Sequence, residues 1–433
     1  MNDKNYITDP HTRMVNGPVN VMRLEGNVDG IPKVIYLFMD YHMHVSSQTQ
    51  CKNIFSEDIQ KYFVHNFYKL NKGKQMYDFF VEIYPSELAE KGYWEGIPGT
   101  GRDHKEKYIE EVVKLFKKIF KYDSRKNKVS INKLFKHVRL HYFDIRDYYK
   151  HDLYGRLSEM VNIAHNFMVS DFINLKGLEK IIHLMDIMSN HLKFIVNILE
   201  KIPNKIVPSK TKNTNKTASS KTKIIKERMH ASMDVQALEY LANKIKTAYK
   251  HDYVRRIMLY LIDDVVKNFR RAINEIDDVM GEFGQYVNIL YESHNKLIKD
   301  ENTSYLYVYG VSSTTQRLMM TNIANKIDNI LDEKFIEFFA RFTDIYFLRR
   351  FLDKDYINNA ITYTGALHSN TYIYTLVKYF NFKITHASYS KIKNMNKLTE
   401  EIKKKSLAEI QELILPEYFD QCSDMKDFPE DFF

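Results

Sequence analysis

Along the first part of the chain, the spacing of apolar positions switches between two and nearly four. Asn16–Glu25 and Gly30–Phe38 read as two early strands with a Gly-bearing turn between them. Ile59, Phe63, Phe67 and Leu70 then recur at helical spacing across Phe55–Leu70, with Ser56 placed as an N-cap. Tyr77–Tyr84 is the next strand, stopped by Pro85, and an amphipathic helix spans Lys105–Phe120. Lys136–Phe143 reads as a further strand. Strands alternating with helices predict an α/β fold, here a mixed, mainly parallel sheet flanked by helices.

From Leu153 the period becomes helical. Leu178–Lys201 and Met233–Ile298 carry apolar residues three and four apart with almost no breakers, which predicts a large all-helical insertion. A polar run near 208–223 interrupts it and reads as a disordered loop. Lys326–Leu352 is again helical, Ala360–Thr364 a strand, Thr371–Tyr379 a helix and Lys383–Ala387 a final strand. The implied division is 1–152 for the first half of the core, 153–300 for the insertion, 301–400 for the second half, and 401–433 for a helix and an acidic, aromatic tail.

Bulk properties narrow the picture. Only 14 Gly and 9 Pro in 433 residues argue against a sandwich or barrel built from many tight turns. The net charge of +9 is spread along the chain, and its densest run, Lys210–Lys223, reads as solvated loop, so nucleic acid is not an expected partner. Two cysteines, Cys51 and Cys422, do not make a disulfide framework and imply a reducing compartment. The start of the chain lacks an apolar stretch of signal-peptide length, and no apolar run is long enough to span a membrane. The expectation is a soluble protein of the cytoplasm (the host's, if viral) or of a virion, and not a secreted one.

Candidate chemistry gathers where apolar runs end. Val34–Phe38 leads into Asp40 and His42, Phe79–Val81 into Glu82, Val138–Phe143 into Asp144 and Arg146, and Ala360–Gly365 into His368. Parallel sheets collect ligands outside the carboxyl ends of their strands, so these groups should share a crevice. Two imidazoles and a carboxylate (His42, Glu82 and His368) suit a divalent metal such as manganese, cobalt or zinc with an open position for water. Without a metal, His42 or His368 serves as general base, oriented by Glu82 or Asp40. Each residue also has a plain structural reading: a hydrogen-bonded histidine, a strand carboxylate, or an Asp144–Arg146 ion pair. No His-Glu-x-x-His helix, Cys-x-x-Cys pair, Walker-type loop or Gly-x-Ser-x-Gly elbow is present. Gly99–His104 reads as a loop near the crevice.

This pattern resembles the Tiki/TraB superfamily, with its erythromycin-esterase-like and ChaN-like members, marked by two Gly-x-x-His motifs on strand ends and a Glu-ending strand after the first. Gly365-Ala366-Leu367-His368 matches the second motif and Phe79-Phe80-Val81-Glu82 the glutamate strand. Met39-Asp40-Tyr41-His42 keeps the histidine of the first but has Met where the family has Gly. The resemblance covers roughly 30–150 and 330–390 and extends to a divergent branch found in large DNA viruses. It implies a hydrolase, either a metal-dependent peptidase or an esterase, acting on a peptide or ester substrate. Its machinery would be His42, Glu82, His368, Asp40 and Arg146, with Asp144, Arg341 and Asp344 contacting substrate. The alternative is an inactive homologue serving as a viral structural or host-interaction protein, with protein partners bound through the helical insertion and the C-terminal tail.

Overall fold

The computed structural model describes residues 13–42, 51–82, 108–120, 122–123, 128–129, 132–145, 153–202, 235–299, 307–308, 311–329, 334–418 and 420–432. The chain divides into two compact units, Met1–Ile145 with Tyr249–Ile257 and Tyr346–Phe433, and Arg146–Ala248 with Met258–Ile345.

The first unit is built on a six-stranded sheet. Its strands are β1 (Asn20–Val28), β2 (Ile31–Asp40), β3 (Tyr77–Val81), β4 (Val138–Tyr142), β5 (Asn359–Gly365) and β6 (Lys383–Ala387), in spatial order β6-β1-β2-β5-β3-β4. β2, β5, β3 and β4 pair in parallel, while β1 runs antiparallel to both β2 and β6. The mixed, mainly parallel sheet read from the sequence is therefore present. β1 and β2 form a hairpin whose two turn residues, Asp29 and Gly30, both have positive φ (48° and 85°). Asp-Gly is the sequence that such a tight turn favours.

Helices cover the sheet because its strands are apolar on both faces. On one side Tyr36, Phe38, Phe79 and Tyr363 pack with Phe63 and Phe67 of α1 (Ile59–Lys69) and Phe116 of α2 (Tyr108–Ile119). The other side includes Phe80, whose ring meets Phe347 edge-on at 5.0 Å. α1 starts at Ile59 with Asp58 as N-cap and no side-chain capping bond. Ser56, predicted as the cap, instead accepts a hydrogen bond from Asn16 Nδ2. α3 (Ala366–Phe380) begins five residues before the predicted Thr371, directly where β5 ends.

The acidic tail is part of this core. Met425, Phe428 and Phe432 are buried with Tyr36 and Phe38, and Phe432 lies edge-on to Tyr36 at 5.0 Å. The rings of Phe428 and Phe432 are thus used within the chain. Cys51 and Cys422 are disulfide-bonded across a sequence separation of 371 residues. The sequence reading, in which two cysteines make no disulfide framework, did not anticipate this bond. Cysteine count and spacing gave no sign that folding brings the pair together.

The second unit is helical, as predicted, but continues to Ile345 rather than stopping near 300. The helix Ser313–Ile327 and the short pair Tyr307–Val308 and Val311–Ser312 belong to it. The predicted stretch Met233–Ile298 forms two helices, Val235–Thr247 and Asp252–Lys299. The longer one buries Met258, Ile262, Val265, Phe269, Ala272, Ile276, Val279 and Phe283, a three-and-four spacing that keeps one stripe in contact with its neighbours. The loop read over 208–223 lies outside the described residues, as does the Gly99–His104 segment. Among the described residues, no helix is long and apolar enough to cross a membrane.

Candidate functional site

The site lies at the carboxyl ends of β2, β3 and β5. Glu82 follows β3 directly, and its main-chain N–H donates to Tyr363 O at 3.3 Å. Its Oε1 faces His368 Nε2 at 3.1 Å and its Oε2 faces His42 Nε2 at 3.3 Å. Two histidines 326 positions apart by number thus meet on one carboxylate. Oε2 also accepts the main-chain N–H of Gly365 at 2.8 Å and the Thr364 hydroxyl at 3.2 Å.

Asp40 ends β2 and fixes the next turn. Its Oδ2 accepts the main-chain N–H of His42 at 2.8 Å, an Asx-type turn, and also faces His42 Nδ1 at 2.8 Å. Its Oδ1 accepts the Tyr363 hydroxyl and Gln421 Nε2, each at 3.2 Å. This fully buried carboxylate is therefore hydrogen-bonded on both oxygens. The turn puts His42 at φ 54°, the left-handed region that costs a non-glycine residue roughly 1 kcal/mol. Strain of that kind persists where surrounding bonds hold it, and here Asp40 and Glu82 do so.

Met39, which stands where the resembled motif has Gly, has ordinary strand backbone. Met39 is buried and remains in the regular ladder of β2, opposite Asn20 and Thr364. The left-handed residue is His42 instead, and its side chain keeps 35% of its surface exposed. At the second motif, glycine is needed for space. Gly365 has φ −53°, but a Cβ there would stand 2.9 Å from His42 Nε2 and 3.4 Å from Glu82 Oε2. His368 occupies the third position of α3, and Gly365 is that helix's N-cap. Glu82 accordingly sits at the helix amino end, where negative charge is favoured.

Opposing influences set the protonation states. Burial pushes the Glu82 carboxyl up, but the charges and hydrogen bonds of His368 and His42 outweigh it and hold the group well below its usual range. Burial would lower His42, yet Glu82 and Asp40 on its two sides raise it to about 9. At neutral pH the arrangement is a carboxylate–imidazolium–carboxylate sandwich.

The expected metal set comes together but not as a coordination shell. Both Nε2 atoms are directed at Glu82 oxygens, and Asp40 holds Nδ1 of His42. Among the described residues, no group of three or more His, Cys, Asp or Glu side chains is arranged to hold a metal ion.

The other sequence candidates divide. Asp144 is buried just past β4, on the same sheet edge as Glu82. Arg146 lies outside the described residues. Arg341 and Asp344 belong to the helical unit, where they form an i,i+3 pair at 4.0 Å. Sequence reasoning missed Tyr363, Thr364 and Gln421. The first two stand directly before Gly365 and were legible in principle; Gln421 is 381 residues from Asp40 and carried no signal.

Comparison places the chain among viral proteins. It is 57% identical over 432 residues to the uncharacterized protein R706 of Acanthamoeba polyphaga mimivirus, covering 100% of both chains. It is 34% identical to R161 and 33% to R160 of the same virus, covering 99% and 98% of each pair. No solved structure matches. A family model described as a family of unknown function (DUF5847) matches residues 13–433, and the chain belongs to that family.

Proposed function

We propose that this protein is a hydrolase of peptide or ester bonds, of the Tiki kind, that uses His42 as its proton carrier. The observation that carries this reading is the single Glu82 carboxylate bridged by two imidazoles, with only the His42 ring substantially exposed, at 35% against 5% for His368 and Glu82. Water takes the place of Glu82 at His42 Nε2, the longer of the ring's two contacts at 3.3 Å against 2.8 Å. Nε2 takes a proton from that water as it attacks the carbonyl carbon, then passes it to the leaving group as the tetrahedral intermediate collapses. Asp40 orients Nδ1, and Glu82 stabilises the imidazolium as it forms, the role a buried carboxylate plays beside a catalytic histidine. His368 holds Glu82 from the other side and keeps it ionised. A base with a pKa of about 9 is free in only about one molecule in a hundred at pH 7, but it is a strong base when free. The rate should therefore rise about tenfold per pH unit from pH 6 towards 9.

The test is a panel of chromogenic esters and quenched fluorescent peptides, run with and without a chelator, on wild type and His42→Ala. The expected result is turnover that climbs to about pH 9, is unaffected by chelation and is lost in the variant. Activity that collapses on chelation and returns with manganese, cobalt or zinc would restore the metal reading. Absence of hydrolysis across the panel would favour the inactive homologue, a virion or host-interaction protein.

A further inference from the structure

The disulfide closes beside the proposed site. Cys422 opens the strand Cys422–Asp424, which pairs antiparallel with Met14–Asn16, and that strand pairs with Glu57–Asp58. Cys51 donates its main-chain N–H to Asn16 Oδ1 at 2.8 Å, and Asn16 is the register partner of Cys422. One residue before Cys422, Gln421 accepts the Gly17 main-chain N–H on its carbonyl at 3.0 Å and extends its side-chain amide to Asp40 Oδ1. The bond between the sulfurs thus fastens the segment that delivers Gln421 to the carboxylate holding His42. Cys51 is 9% exposed, whereas Cys422 is half-buried and lines a surface cleft of about 500 Å³. Three carboxylates, Glu417, Asp420 and Asp424, line that cleft against two facing lysines, Lys391 at 3.7 Å from Glu417 and Lys426 at 3.4 Å from Asp424, which leaves it net acidic. Tyr389 and Tyr418 form part of its wall.

We propose that Cys51–Cys422 is a redox site, a latch on the C-terminal segment opened by a small dithiol that carries no negative charge besides its attacking thiolate and enters this cleft. A thiolate of the dithiol attacks Cys422 Sγ, the Cys51–Cys422 bond breaks, and Cys51 leaves as a thiolate that takes up a proton. The second thiol of the reductant then attacks its own sulfur in the mixed disulfide and releases the Cys422 thiol. Two electrons and two protons pass to the protein, and the dithiol ends as a disulfide. Opening frees the strand at 422–424 from its cross-link and loosens Gln421 from Asp40, so Gln421 is a positioning residue under the control of the latch. The acidic cleft disfavours anionic thiols by like-charge repulsion.

The intact oxidised chain is treated with dithiothreitol in native buffer, quenched by alkylation, and followed by mass and by hydrogen exchange. The expected result is reduction without global unfolding, with exchange at 422–424 faster by about tenfold or more while β2 and β5 keep their protection. A disulfide that resists dithiothreitol until the whole chain unfolds, or that opens with unchanged exchange at 422–424, overturns the proposal. In a second comparison, cationic aminoethanethiol should open the bond faster than anionic mercaptoethanesulfonate, each scaled to its rate on a small disulfide; equal scaled rates remove the cleft from the mechanism. The activity arm rests on the hydrolase reading: Gln421→Ala, with its disulfide intact, should lower kcat more than it changes KM. If no substrate is found that reading fails, and the exchange arm still decides the latch.

Discussion

Two histidine–carboxylate networks stand on the same strand of this protein and reach opposite protonation states. Asp78 lies in β3 and Glu82 just after it, four positions apart, so both project from one face of the sheet. Glu82 is met by two imidazoles, and His42 lies between Glu82 and Asp40, which raise it to about 9. Asp78, fully buried, accepts Arg139 on both oxygens at 2.8 and 2.7 Å and His141 Nε2 at 2.6 Å. Arg350 Nη2 points at His141 Nδ1 at 2.8 Å, so that nitrogen accepts and the ring is neutral. Burial, then Arg350 and Arg139, outweigh Asp78 and lower His141 to about 4. The ring also stacks on Phe80 at 4.6 Å. A histidine beside a buried carboxylate therefore says little about function; the remaining neighbours decide whether it carries a charge, and solvent access decides whether it can exchange one.

The largest effect should come from changing the shared carboxylate. Glu82→Gln keeps size but removes the charge that faces both imidazoles, and should lower hydrolysis by roughly 10³ to 10⁴, the scale seen when a buried carboxylate beside a catalytic histidine is neutralised. The His42 ring should titrate lower than its wild-type value of about 9 when followed by NMR. Retained turnover with an unmoved His42 titration would break the contrast drawn between the networks.

The two networks should also shape opposite sides of the stability curve. His42 has a folded pKa of about 9 against an ordinary 6.5, so its contribution is full below pH 6.5 and lost as pH rises through about 9. His141 is shifted the other way, from 6.5 to about 4, so its contribution is full above pH 6.5 and lost as pH falls towards 4. The His141 shift corresponds to roughly 3 kcal/mol for a side chain only 10% exposed. Urea unfolding from pH 4 to 10 should show the acid slope flattened in His141→Phe and the alkaline slope flattened in His42→Ala. Identical curves for the two variants would mean that the networks do not differ in charge.

A smaller and more local effect is expected at Gly365. A methyl group there has no backbone cost at φ −53°, but it stands 2.9 Å from His42 Nε2. Gly365→Ala should lower turnover about 10- to 100-fold, the cost of misplacing a reacting group by a fraction of an ångström to an ångström. Urea stability should change by less than about 1 kcal/mol. A variant that loses stability in proportion to activity would make Gly365 a packing residue only.

How much of this was legible in sequence depends on how far apart the cooperating residues are. The strands at Ile31–Asp40, Tyr77–Val81 and Asn359–Gly365 announced themselves through apolar runs, and the polar residues at their ends named Asp40, His42, Glu82 and His368 as one edge. Pairing order was not legible, since β5 enters between β2 and β3 from more than 270 residues later in the chain. Neither the Cys51–Cys422 bond nor the Gln421–Asp40 contact has a local pattern; both exist only because the tail folds back on the first strands. The metal reading was drawn from residue types at strand ends, without side-chain directions. Those types suit either ion binding or proton exchange, and both Nε2 atoms face Glu82 oxygens.

The smallest effect, and the finest test of the comparison, concerns Tyr363. Its hydroxyl is buried and donates to Asp40 Oδ1 at 3.2 Å, the oxygen that also accepts Gln421. Burial, with Asp40 beside it, pushes the phenol well above its ordinary pKa, so it stays a donor throughout the working range. Tyr363→Phe removes that donor and leaves the ring, which packs edge-on to Phe63 at 6.0 Å, in place. Because Gln421 still serves Oδ1 and both His42 bonds to Oδ2 remain, the loss should be about 1 kcal/mol in stability and a few-fold in turnover. Combining it with Gln421→Ala leaves this oxygen without either donor, and the two changes should then cost more together than the sum of each alone. Simple additivity in turnover would show that Asp40 is held by its His42 bonds alone, and that the buried donors behind it serve the core rather than the site.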